Sequence, residues 1–108
     1  MTAPQNEVVV HCRETEGDVE AGLATARTLR RLRPQLSVRV IVNGPALSSL
    51  VGSEELVVPE KVEVQACEVG MQGRGIVAED LRPDVATVDS AAAALADAQL
   101  AGAAYIRI

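Results

Sequence analysis

Five short β-rich runs, separated by turns and by stretches with helical spacing, constrain this chain more than any other feature. "VVVHC", Val8 to Cys12, is apolar without alternation, as a strand buried on both faces requires. "SVRVIV" (Ser37 to Val42), Val62 to Ala66 leading into Cys67, "VATV" (Val85 to Val88) and the closing "AYIRI" supply four more. From Val19 to Arg33, apolar Val19, Leu23, Ala26 and Leu29 recur at helical spacing. Asp18 is the expected N-cap, four arginines crowd the helix end, and Pro34 stops it. Pro45 with "ALSSLV" predicts a short helix, and the connection onward to Glu60 is the thinnest part of the pattern. Ser90 caps an Ala-rich helix from Ala91 to Ala101, with Gly102 just beyond it. Strands alternating with helices predict an α/β chain with a mainly parallel five-stranded sheet, covered on both faces as a three-layer α/β/α sandwich. At 108 residues, that is a single domain spanning 1–108.

Tyr105 is the only aromatic residue, so the core must be built from Val, Leu, Ile and Ala. The same scarcity removes aromatic platforms for base stacking, and a net charge of −5 gives no attraction to a phosphate backbone. Nucleic acid is therefore not an expected partner. No apolar run approaches the length that crosses a bilayer, so no membrane association is expected. "MTAPQNE" lacks the features of a signal peptide, which with two cysteines predicts a reducing, cytoplasmic setting without a structural disulfide. His11, Cys12 and Cys67 are too few soft ligands for a structural zinc, and no metal or organic cofactor is expected.

In a parallel sheet all strand C-termini share one rim, and ligands bind there. The strand exits bring His11 and Cys12, then Asn43 and Gly44, then Cys67, then Asp89 to that rim. Cys67 stands where "VEVQAC" ends and "EVGMQGRGI" begins, ahead of three glycines. A thiol there serves either as an exposed nucleophile or as a small space-filling hydrophobe. Helical N–H groups following it and Arg74 favour a thiolate, whereas Glu68 opposes one. Cys12 continues an apolar strand and reads as the protected thiol, the alternative being a resolving partner for Cys67. His11 acts either as a base for Cys67 or as a hydrogen-bonded residue at the sheet edge. Adjacent strand residues point to opposite faces, so His11 and Cys12 do not share a pocket. Asn43 and Gly44 either turn the chain or offer backbone N–H groups to an anion. Met71 lines the site or fills a gap, and Tyr105 packs at a helix–strand junction or an oligomer contact. "GMQGRG" is neither a P-loop nor a dinucleotide fingerprint, and one histidine without a nucleophile motif argues against a hydrolase.

The N-terminal strand ending in His11, "EAGLATARTL", "VRVIVNGPAL", "VEVQACEVGMQGRGI" and "VDSAAAALADAQLAGAAYIRI", in that order, resemble the DsrE/DsrF-like family, which includes TusD-related sulfur-relay subunits and YchN-like proteins. The resemblance implies a persulfide carried on the cysteine after the third strand, a position that Cys67 matches. It further implies a homo-oligomer, a trimer or hexamer, and a sulfur-donor or sulfur-acceptor protein as partner. The expected function is a small sulfur-relay or sulfur-binding protein, with Cys67 reactive and His11, Asn43, Gly44, Glu68, Met71 and Arg74 around it. The alternative is a non-catalytic oligomeric binding module of the same fold.

Overall fold

A computed structural model describes residues 6–108 of the chain. Residues 1–5 of the N-terminal stretch read for a leader lie outside the described residues. The elements are β1 (Glu7–Cys12), α1 (Asp18–Leu32), β2 (Ser37–Val42), a 3₁₀ segment (Gly44–Leu50), β3 (Val62–Cys67), α2 (Glu68–Gly73), a 3₁₀ turn (Ala78–Asp80), β4 (Val85–Val88), α3 (Ala91–Leu100) and β5 (Ala104–Arg107). The five strands form one sheet in the order β4-β3-β2-β1-β5, and every neighbouring pair is parallel.

The topology follows from crossover handedness. From β1 to β4 the chain steps steadily in one direction, so right-handed crossovers place α1, the 3₁₀ segment and α2 on one face. The last connection runs back from one sheet edge to the other, and the same handedness puts α3 on the opposite face. The two cores match this division. Val8, Val10 and Cys12 of β1 pack with Val38, Val40, Val42, Val64 and the buried stripe Val19, Leu23 and Ala26 of α1. Val9, Ile41 and Cys67 face the other way, against Ala91, Leu95 and Ala98 of α3. Each fully buried aliphatic side chain, Leu23 among them, contributes roughly 1.5–3 kcal/mol.

The two layers are unequal. The α1 face is almost wholly aliphatic, whereas α3 covers only part of its own face. Around α3 the sheet carries polar pairs: Arg39 donates to both Glu7 carboxylate oxygens at 2.8 and 3.2 Å, and Gln65 Nε2 donates to Glu63 at 2.9 Å. Polar residues at those alternate strand positions are what an incompletely covered face demands.

Local chemistry departs from expectation at the start of α1. The N-cap is Gly17, and Asp18 is the first helical residue. Its carboxylate turns back on the preceding loop, accepting from Thr15 Oγ1 at 2.8 Å and from the Glu14 N–H at 2.8 Å. The Thr15 hydroxyl, followed by the Glu14 N–H, holds the Asp18 carboxyl below its ordinary value. At the helix end Arg30 donates to the carbonyls of Glu60, Pro34 and Leu36, tying α1 to the start of β2 and the approach to β3. The thin connection is irregular after Leu50, but it is held. Arg82 donates to the carbonyls of Ser49, Glu54 and Glu55, and Leu56 is buried beneath the segment.

Candidate functional site

β3 and β4 are neighbours whose chain exits leave in opposite directions. After Cys67 the chain enters α2 on the α1 face, and after Val88 it enters α3 on the other face. That divergence opens a topological switch point, the place where parallel sheets bind ligands. Cys67 pairs in register with Val88 and stands at its mouth.

The thiol of Cys67 is held by both diverging helices. As the N-cap of α2, its Sγ accepts the Gly70 N–H at 3.4 Å. It also accepts the N–H of Ala91, the first residue of α3, at 3.2 Å. Backbone donors and helix dipole thus converge on one sulfur, an arrangement suited to an anionic atom. Ser90 keeps the start of α3 in place by capping the Ala93 N–H at 3.2 Å. Gly70 is required for the approach of α2: a Cβ there would lie 2.9 Å from Leu47 Cδ1.

One expectation needs correction. A reactive Cys67 implies a thiol open to solvent at the rim, yet Cys67 is only 4% exposed. Of the three glycines after it, Gly70 meets the sulfur through its backbone N–H. The cover comes from α3, which returns from β4 across the α3 face and packs Ala91 and Leu95 beside the thiol. No local pattern around residue 67 specifies that return.

Cys12 projects from the other face. It is fully buried, its Sγ donates to the Asp18 carbonyl at 3.2 Å, and it lies against Gly22, where a Cβ would approach within 2.7 Å. Burial pushes its thiol up from 9.0 to about 12, and the nearby Asp18 carboxylate adds to the effect. The two cysteines are separated by the sheet.

His11 shares the Cys67 face. Its Nε2 pairs with Asn43 Oδ1 at 2.9 Å and its Nδ1 with the Tyr105 hydroxyl at 2.8 Å. The first contact assigns the Nε2–H tautomer, with Tyr105 donating to Nδ1. Asn43 continues β2 by one residue, beside Cys67: the Cβ atoms of both lie 3.8 Å from the point where a Gly70 Cβ would stand. Gly44 takes a left-handed turn with φ of 61°.

The remaining candidates lie apart. Met71 is buried in the core of the α1 face. Together with Glu68, Gln72, Ile76 and Thr87 it lines an open groove of about 240 Å³ beside β4. Thr87 pairs with Ala66, so this groove opens on the side of the sheet opposite the thiol. Arg74 is exposed at the C-cap of α2, at the far end of that helix from Sγ. The structure thus gathers Cys67, Asn43 and His11, and separates Glu68, Met71 and Arg74 from them. Among the described residues no group of three or more His, Cys, Asp or Glu is placed to hold a metal ion. No described helix is long and apolar enough to cross a membrane.

Sequence reasoning missed Gln65 and the Ala91 N–H. Gln65 is 8% exposed, and its Oε1 is buried without a hydrogen-bond partner among the described residues. The period of two in "VEVQAC" carried the signal, because Glu63, Gln65 and Cys67 must share a face. The covering N–H of Ala91 has no such signature.

No protein-family model matches the chain, and no curated protein matches it in sequence. Solved structures do match its fold. The protein of unknown function MTH1491 from Methanobacterium thermoautotrophicum superposes with a TM-score of 0.80 at 21% identity, over 94% of this chain and 98% of its own. The ychN protein from E. coli superposes with a TM-score of 0.74 at 17% identity, over 95% and 99%. The five-stranded parallel sheet flanked by helices is therefore the fold of the ychN protein.

Proposed function

We propose that the chain is a small sulfur-relay or sulfur-binding protein of the DsrE/DsrF-like kind, with Cys67 as the sulfur acceptor. The observation that carries this reading is the Cys67 sulfur at the switch point, under the N–H groups of Gly70 and Ala91. The fold shared with the ychN protein supports it. In the transfer step the Cys67 thiolate attacks the outer sulfur of a hydrodisulfide donor, RSSH. The new Cys67–sulfur bond forms as the donor S–S bond breaks, RS⁻ leaves, and the proton stays on the transferred sulfur as Cys67–SSH. An acceptor thiolate later takes the outer sulfur by the same displacement and restores the Cys67 thiolate. No metal or redox cofactor enters the balance.

Sulfur uptake tests it directly. Native protein treated with inorganic polysulfide is expected to gain a sulfur-mass adduct that Cys12→Ser retains and Cys67→Ser loses. The burial of Cys67 favours a second reading, a non-catalytic binding module. Native wild-type protein that gains no adduct, beside a free-thiol control that does, selects that reading.

The same proposal includes self-association as a trimer or hexamer. Ala92, Ala93, Ala96 and Leu100 are exposed on the outer side of α3 beside Asp97 and Gln99, with Leu100 88% exposed. An apolar patch of this kind, rimmed by polar residues, is where a second copy would dock. Light scattering should give a multiple of the 11.3 kDa chain mass, and a monomer at tens of micromolar, a rough concentration for stable association, contradicts it.

A further inference from the structure

We propose that Gln65 and Asn43 form a two-amide cradle for the outer sulfur of a hydropersulfide on Cys67, an inference that rests on Cys67 as the carrier. Two observations independent of the thiol's own hydrogen bonds carry it. Gln65 projects from the Cys67 face of β3 two residues earlier, and its buried Oε1 lacks a donor. A buried carbonyl left unpaired is costly, so Gln65 Oε1 calls for a donor that the folded chain itself does not supply. An aliphatic side chain of similar size would fill this strand position without that cost.

The second observation is the orientation of Asn43. His11 and Cys67 lie on opposite sides of β2 in the sheet order. With Oδ1 held by His11, Nδ2 is the donor left to Asn43, on a side chain whose Cβ neighbours that of Cys67 across Gly70. That Nδ2 donates to no acceptor among the described residues. Tyr105 in turn fixes His11 from β5. Asn43 is therefore a donor whose direction is set two strands away.

An outer persulfide sulfur needs this pair. As –S–SH it donates its proton, and Gln65 Oε1 accepts. As –S–S⁻ it accepts, and Asn43 Nδ2 donates. The site therefore suits sulfur donors of the hydrodisulfide and polysulfide class, whose outer atom alternates between those forms. Asn43 and Gln65 hold that atom, and His11 is a positioning residue acting through Asn43.

The test loads each protein with inorganic polysulfide, removes the excess, and follows persulfide lifetime alongside thermal unfolding. Gln65→Met is expected to raise the unfolding temperature, because the unpaired carbonyl is gone, and to shorten the persulfide lifetime several-fold. Opposite signs in the two readouts are the signature, since a merely structural glutamine would lose both together. Asn43→Ala and His11→Leu are expected to shorten the lifetime, while His11→Gln, which restores an N–H donor to Oδ1, recovers it. Variants that load like wild type and keep its lifetime overturn the cradle and leave Cys67 as carrier. So does a lifetime that falls only in step with the unfolding temperature, or a His11→Gln protein no better than His11→Leu. Wild-type protein that takes up no sulfur overturns both readings.

Discussion

Replacing Gly44 with alanine is expected to cost the fold roughly 2–4 kcal/mol, combining left-handed strain with overpacking. Its φ is 61°, and a Cβ there would lie 2.7 Å from the Arg13 carbonyl oxygen. That neighbour is main chain at the exit of β1, tied to β2 through the Asn43 N–H to the Cys12 carbonyl at 3.1 Å, so it cannot swing aside as a side chain would. Gly75 is the internal control: its φ is 69°, but nothing lies within 4 Å of its missing Cβ. Gly75→Ala should show the strain alone, about 1–2 kcal/mol. Urea denaturation of the two variants separates the terms. Equal losses would mean that the Arg13 contact carries no weight and that Gly44 is there only to turn the chain.

Alkaline pH should unfold the protein through Cys12. In the unfolded chain this thiol ionises near its ordinary 9.0, whereas in the fold it holds its proton to about 12. Between those values the unfolded state binds fewer protons, so stability falls as pH rises. The contribution is fully present below pH 9 and lost by about 12. Its full span is about 4 kcal/mol, undiminished by solvent screening because Cys12 is completely buried. Cys12→Ser removes the titration and leaves a hydroxyl that can still donate to the Asp18 carbonyl. Its stability curve should be flatter than that of wild type across this window, as measured by urea midpoints at successive pH values. Parallel curves would assign the alkaline loss to other groups.

The fold was largely legible because its cause is periodic. "VVVHC" and "SVRVIV" read as buried strands because both their faces are covered at the centre of the sheet, and α1 announces itself through Val19, Leu23 and Ala26. The same parity correctly sent His11 and Cys12 to different faces. Capping was less legible. Ser90 caps α3 as its spacing implied, but Asp18 found donors in its own loop, where three groups compete for one carboxylate. The candidate site was half visible. Placing Cys67, Asn43 and His11 at strand exits needs only the alternation of elements. The roof over Cys67 is a contact between residues 67 and 91, set by the direction of the last crossover rather than by any neighbouring residue. Glu68, Met71 and Arg74 follow Cys67 in the chain and were grouped with it for that reason. A helix turning onto the other face separates sequence neighbours from the thiol that precedes them.

The reversal of the final crossover also sets an order of events during synthesis. β1 to β4 and their helices lie in sequence along one direction of the sheet, so each can pair with a neighbour already made. The Ala91 N–H reaches Cys67 only after β4 is laid down and α3 has swung back, and β5 must find β1 across nearly the whole length of the chain. Such long-range closure comes late, because its entropic cost falls due before its contacts form. A chain caught in that interval would hold its first face with the Cys67 thiol still bare on the second. Sulfur or an oxidant met then would reach Cys67 without passing under α3, and α3, folding back later, would close over whatever it had acquired.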